Sequence, residues 1–131
     1  MTIAPGSVYS APNCPFCLAN GRAEATAISS CGRYYLSKDI GNNEHYLVIP
    51  VAHKQDILEL DDDWFGALKE LVPRIPWYTS GVDGMNISIN QGRRAGQRVQ
   101  HLHWWVMYRD GSGGELGLAG LIKEYDRLTQ S

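Results

Sequence analysis

The chain has 131 residues, 44% of them hydrophobic and 20% charged, which fits one folded domain and excludes a disordered chain. Lys+Arg 12 against Asp+Glu 14 leaves a net charge of −2. That gives no basic footprint for a DNA or RNA duplex, and no apolar run reaches the length of a membrane span.

The chain starts with neither a basic segment nor a long apolar stretch, so no export signal is read there. An odd count of three cysteines without such a signal argues against a disulfide framework. We therefore expect a cytoplasmic, single-domain protein over residues 1–131, with no membrane partner.

In chain order, residues 1–13 read as an irregular lead-in. Residues 25–29 and 32–36 read as two short strands, and Cys31 in the turn between them as a small buried residue. Residues 38–44 are polar and rich in Gly and Asn, hence a loop. Residues 45–50 form a strand ended by Pro50, which cannot donate into the next ladder position. Trp64, Phe65, Leu68, Leu71 and Val72 have helical spacing. Asp61, Asp62 and Asp63 precede them and read as capping and dipole compensation rather than as a metal site. Pro73 and Pro76 stop or bend this helix. Residues 85–90 and 101–108 read as strands joined by a Gly- and Arg-containing loop, residues 111–114 as a turn, and residues 115–131 as a final helix. Antiparallel strands with few helices predict an α+β fold.

In a strand, alternate side chains share a face, so His101, His103 and Trp105 are expected on one side and Leu102, Trp104 and Val106 on the other. Just upstream, residues 90–97 (Asn-Gln-Gly-Arg-Arg-Ala-Gly-Gln) form a loop suited to presenting backbone N–H groups and arginines to an anion. Cys14 and Cys17 have the spacing of a zinc half-site. A redox pair or plain core cysteines are the other readings. The redox reading is disfavoured because no helical pattern follows Cys14 to depress its thiol pKa.

Asn90, Gly92, Gly96-Gln97 and the run His101-Leu-His103-Trp-Trp105-Val-Met107 resemble the signature of the histidine triad (HIT) superfamily of nucleotide hydrolases and transferases. The stretch 45–50 followed by His53, and the pair Cys14/Cys17, are similar to further segments of its zinc-containing branch. The resemblance implies an antiparallel sheet with two main helices and the site on one sheet face. It implies His103 as nucleophile, attacking the α-phosphorus of a nucleotide or dinucleotide to leave a nucleotidyl-histidine, with the carbonyl of His101 accepting the hydrogen of the other ring nitrogen. Asn90, Gln97 and the amides of Gly96 to Val99 would hold the phosphate, with Arg98 in reach of the same anion. Phe16 would contact the base and Asp39 the ribose.

The same resemblance implies structural Zn²⁺ on Cys14, Cys17, His53 and His101. It also implies a homodimer, for which exposed Trp64, Trp77 or Tyr78 would give a reason. His45 is read as a polar residue near the pocket or a plain strand-end histidine. Trp105 departs from the signature, whose third histidine assists the leaving group. An indole has one N–H and no titratable proton, so the alternative function is a zinc-stabilised nucleotide-binding module with little turnover. A zinc or redox protein without a nucleotide is a third reading.

Overall fold

The computed structural model describes residues 10–39, 41, 44–110 and 117–130. The expected turn at 111–114, most of the lead-in and part of the 38–44 loop lie outside them. Five strands form one antiparallel sheet: β1 (Ala27–Ile28), β2 (Tyr34–Lys38), β3 (Tyr46–Pro50), β4 (Gly84–Ile89) and β5 (Trp104–Arg109), in the order β1-β2-β3-β5-β4. Three helices accompany them, α1 (Trp64–Leu71), the single turn α2 (Pro76–Thr79) and α3 (Leu118–Thr129). The architecture is α+β, as expected. No helix among the described residues is long and apolar enough to cross a membrane.

Strand alternation divides the sheet into two working faces. Tyr34 and Leu36 of β2, Tyr46 and Val48 of β3, and Trp104 and Val106 of β5 pack on Ala67, Leu68 and Leu71 of α1 and on Val72 and Ile75 beyond it. The Leu68 and Leu71 side chains lie on one helical face, since residues three apart are neighbours there. Tyr35, Leu47 and Ile49 point to the opposite face and are covered by Phe16, Leu18, Ala23, Ala25, Val51 and Trp105. Strands β2 and β3 are thus apolar on both sides. The helix side is filled, and the other side is closed only partly, by the N-terminal segment.

Several local expectations shift. The first hairpin turns later than its apolar pattern suggests. Gly32 is left-handed (φ 77°), its N–H donates to the carbonyl of Ser29, and Ser29 and Tyr34 close the turn. Strand β2 therefore starts at Tyr34, and Cys31 is exposed on the turn rather than buried, 3.2 Å from the Ser29 hydroxyl. Asp63 precedes α1 but makes no side-chain cap; its carboxylate takes the Arg33 guanidinium instead. The residue that does cap is Asp56, which forms a reciprocal capping box with Glu59 on the 3-10 turn Ile57–Glu59. Trp64 stacks on Trp104 with ring centroids 5.6 Å apart, and the Trp77 indole donates to the carbonyl of Glu44 at 2.6 Å. Both are half-buried by their own chain, so of the three aromatic residues expected to be exposed only Tyr78 is.

The largest correction concerns β5. It begins at Trp104, so His101, Leu102 and His103 precede the strand. Pro50, the last residue of β3, has no N–H, and its carbonyl faces the His101 ring at 2.7 Å. The Leu102 N–H turns away to the carbonyl of Lys54 at 2.8 Å. With those groups spent elsewhere, the ladder cannot extend to His101.

Candidate functional site

The loop before β5 is set by its glycines. Gly92 and Gly96 have φ of 91° and 95°, flanking a 3-10 turn at Arg93–Ala95. At Gly96 a side chain would be strained by the backbone, and its Cβ would lie 3.5 Å from the Asn90 amide nitrogen. Gln97 is buried: its carboxamide accepts from the Gly92 N–H at 2.7 Å and donates to the Val99 carbonyl at 2.9 Å. Gln97 therefore holds the loop's shape, and its side chain is not on the cavity wall.

The partly closed sheet face carries a cavity of about 1030 Å³. Of the residues the sequence points to, Phe16, Asp39, Asn90, Gly96, Arg98, Val99, His103 and Trp105 line it. His103 sits between two aromatic rings, Phe16 with centroids 4.8 Å away and Trp105 at 5.8 Å, both edge-on. Its Nδ1 lies 2.8 Å from the carbonyl oxygen of His101. A carbonyl can only accept, so Nδ1 carries the hydrogen and Nε2 keeps its lone pair for the cavity. Burial pushes the imidazole below its ordinary pKa, partly opposed by the His101 carbonyl. The result is a neutral, oriented base or nucleophile.

Sequence reasoning passed over other parts of the wall. Leu47, Ser88 and Met107 line it because they share strand parity with His45, Asn90 and Trp105; alternation alone could have found them. Arg22 and Lys38 also line it. The ion pairs among the described residues join Arg33 to Asp61 and Asp63, and Arg127 to Glu124. The cavity's Arg22, Lys38 and Arg98 take part in none of these, so the chain's net negative charge coexists with cations on this wall.

His101 does not share that wall. Its ring lies beneath the cavity, wholly buried, with Cys14, Cys17 and His53. The cysteines are brought there by a knuckle. Asn13 adopts a left-handed conformation (φ 63°), the Cys17 N–H donates to the Cys14 carbonyl, Asn20 ties Cys14 to Ala11, and the Tyr35 hydroxyl holds the Phe16 carbonyl at 2.6 Å.

The four ligand atoms lie within 4.8 Å of one another. The Cys14 Sγ–His101 Nδ1, Cys17 Sγ–His53 Nδ1 and Cys17 Sγ–His101 Nδ1 distances are 3.4, 3.4 and 3.6 Å, and the two Nδ1 atoms are 3.2 Å apart. A tetrahedral ion with Zn-like bond lengths sets edges of about 3.6 Å for S···N and about 3.3 Å for N···N. The donor set fits. The His101 Nε2–H donates to the Pro50 carbonyl, which leaves the Nδ1 lone pair aimed at the centre of the cluster. Burial lowers the His101 pKa to about 4 and that of His53 below its ordinary value. Burial raises the Cys17 thiol, and neighbouring Cys14 adds to the rise. Both imidazoles are thus in ligand form, while the Cys17 thiol must lose its proton on binding a metal.

Residues 34–112 match the profile of the HIT domain. The chain belongs to the HIT family. An uncharacterized HIT-like protein of Methanocaldococcus jannaschii is 32% identical over 120 residues, covering 86% of this chain and 92% of that one. Among solved structures, a HIT family protein from Bacillus anthracis superposes with a TM-score of 0.61 at 27% identity, covering 92% of this chain and 98% of that one. A Zn-bound histidine triad family protein from Mycobacterium smegmatis gives 0.60 at 30% identity, with 81% of each chain covered. Within the HIT signature, Trp105 stands in place of the third histidine.

Proposed function

We propose that this HIT protein binds a nucleotide in the large cavity and acts at its α-phosphorus through His103. The observation that carries the reading is the 2.8 Å contact between His103 Nδ1 and the His101 carbonyl, on the wall shared with the Gly96 and Val99 loop. Backbone N–H groups of residues 96–99, the Asn90 amide and Arg98 would hold the phosphate oxygens. The Nε2 lone pair of His103 forms a bond to phosphorus as the bond to the leaving group breaks, and the leaving group departs with that electron pair. Attack by water, or by another acceptor, then breaks the N–P bond and returns the pair to Nε2, while the attacking group gives up its proton. Hydrolase and nucleotidyltransferase differ only in that acceptor. The nucleoside would extend toward Phe16 and Asp39.

We also assign the metal as zinc, held by Cys14, Cys17, His53 and His101; two thiolates and two imidazoles are a common structural zinc set. When bound, it would cross-link the N-terminal knuckle to His101, two residues before His103. Two buried free thiols agree with a reducing, cytoplasmic location. A homodimer is supported by β4, an outer strand of the sheet.

The second reading, a binding module with little turnover, is favoured by one observation: Trp105 lines the cavity beside His103, where it can shield the site but cannot give a leaving group a proton. Incubation with nucleoside phosphoramidates and dinucleoside polyphosphates separates the two. Product together with a nucleotidyl mass adduct supports catalysis. Saturable binding without either supports the module.

A further inference from the structure

His53 reaches the metal cluster through Nδ1, which lies 3.4 Å from Cys17 Sγ and 3.2 Å from His101 Nδ1. With a metal on Nδ1, the neutral ring carries its hydrogen on Nε2, on the side away from the cluster. The group facing that hydrogen is the Gln55 side-chain amide, whose nitrogen stands 3.4 Å from Nε2. Two N–H groups do not bond. A half-turn of the carboxamide exchanges its oxygen and nitrogen without moving the chain, and Gln55 Oε1 then accepts from His53. The NH2 group is left to a polar pocket that Gln55 lines together with Glu59 and Gln100. Glu59 has an acceptor to spare there: its Oε1 takes the Asp56 N–H at 3.1 Å, while Oε2 is buried with no partner among the described residues. The two imidazoles of the cluster are thus held differently. His101 gives its Nε2–H to the backbone carbonyl of Pro50, which no side-chain substitution removes, whereas His53 relies on a side chain.

We propose that Gln55 is a positioning residue of the metal centre, whose carboxamide oxygen fixes the tautomer and orientation of His53 and so sets how tightly zinc is held. This rests on the zinc assignment above. A metal-binding imidazole that gives its other N–H to such an acceptor is more basic and better aimed, and losing the acceptor costs about 10- to 100-fold in metal affinity.

The test uses the full-length protein, with zinc affinity read by competition against a chromophoric chelator. Gln55→Leu keeps the bulk and removes the acceptor, so it should weaken zinc binding by about tenfold or more. Gln55→Glu restores an acceptor and should recover most of that loss. Gln100→Leu alters the same pocket, but the Gln100 amide donates to the Gln97 carbonyl rather than facing His53, so zinc affinity should not change. In the zinc-loaded parent, nitrogen NMR of the imidazoles should show a hydrogen on His53 Nε2 that exchanges slowly with water, and the exchange should quicken in Gln55→Leu. Parent-like affinity in Gln55→Leu, equal losses in Gln55→Leu and Gln100→Leu, or no recovery in Gln55→Glu overturns this proposal while the zinc assignment stands. An unprotected His53 Nε2 in the zinc-loaded parent does the same without any variant. If the parent takes up no zinc, both fall.

Discussion

In the proposed function, the chemistry at His103 depends on one hydrogen. The His101 carbonyl fixes it on Nδ1, so removing the imidazole removes the proposed nucleophile. His103→Ala is expected to abolish both turnover and the nucleotidyl adduct, read by intact-protein mass spectrometry after a substrate pulse. In the same proposed mechanism Trp105 bears on a different step. Alkoxide and amide leaving groups need a proton that an indole cannot supply, whereas phosphate or pyrophosphate departs unaided. Trp105→His should raise turnover on amine-leaving substrates by up to about 10²-fold, and by much less on polyphosphates. Rates on a matched phosphoramidate and polyphosphate pair decide this; equal gains on both would show that Trp105 acts by bulk alone.

Among the elements, α1 matters because it closes the filled side of the sheet. Leu71 is fully buried among Tyr34, Val48 and Trp104, so Leu71→Ala leaves a cavity costing about 2–5 kcal/mol, measurable as a lower urea midpoint with an unchanged slope. The helix is also tied to the β1–β2 turn. The Glu70 carboxylate accepts from the backbone N–H of Ser30 at 3.0 and 2.8 Å and from its hydroxyl at 2.9 Å. Those donors hold Glu70 below the ordinary carboxylate pKa. A folded-state pKa that is depressed contributes stability above the unfolded value, and the contribution disappears as pH falls through the folded one. Glu70→Gln should therefore lower the melting temperature at neutrality and converge on the parent as pH falls, flattening that part of the acid limb. A mutant curve parallel to the parent's at all pH values would argue against this tie.

For the whole molecule, the Cys14/Cys17/His53/His101 cluster joins three distant stretches of chain at one buried point. Such a site barely exists in the unfolded chain, so metal affinity appears as folding stability. Chelation, or Cys14→Ser, should lower the melting temperature strongly and loosen Phe16, while purified protein should contain one zinc per chain. Because the buried Cys17 thiol is raised in the metal-free protein, zinc uptake should release protons and weaken as pH falls, which titration calorimetry in buffers of different ionisation enthalpy will report. Light scattering should return twice the chain mass. A monomer at micromolar concentration would remove the dimer reading.

Local chemistry determined much of this protein. The run ended by Pro50 identified β3, alternation assigned the faces of β5, the spacing of Leu68 and Leu71 identified α1, and the signature residues located His103, because each of these signals is carried by a few nearby positions. Resemblance supplied the four metal-site residues; their meeting is a tertiary fact. What only the tertiary structure decided was where shared hydrogen-bonding groups go. The Pro50 carbonyl can serve a ladder or the His101 ring, and it serves the ring, so β5 starts late and His101 lies beneath the cavity. The Asp63 carboxylate goes to Arg33 rather than to a helix cap. Trp64 and Trp77 find partners within their own chain, which no reading of exposed aromatics could foresee. The Gln97 carboxamide goes to its own loop rather than to the cavity. A sequence states which donors and acceptors exist, but folding assigns each to one partner, and that competition is settled between residues far apart in the chain.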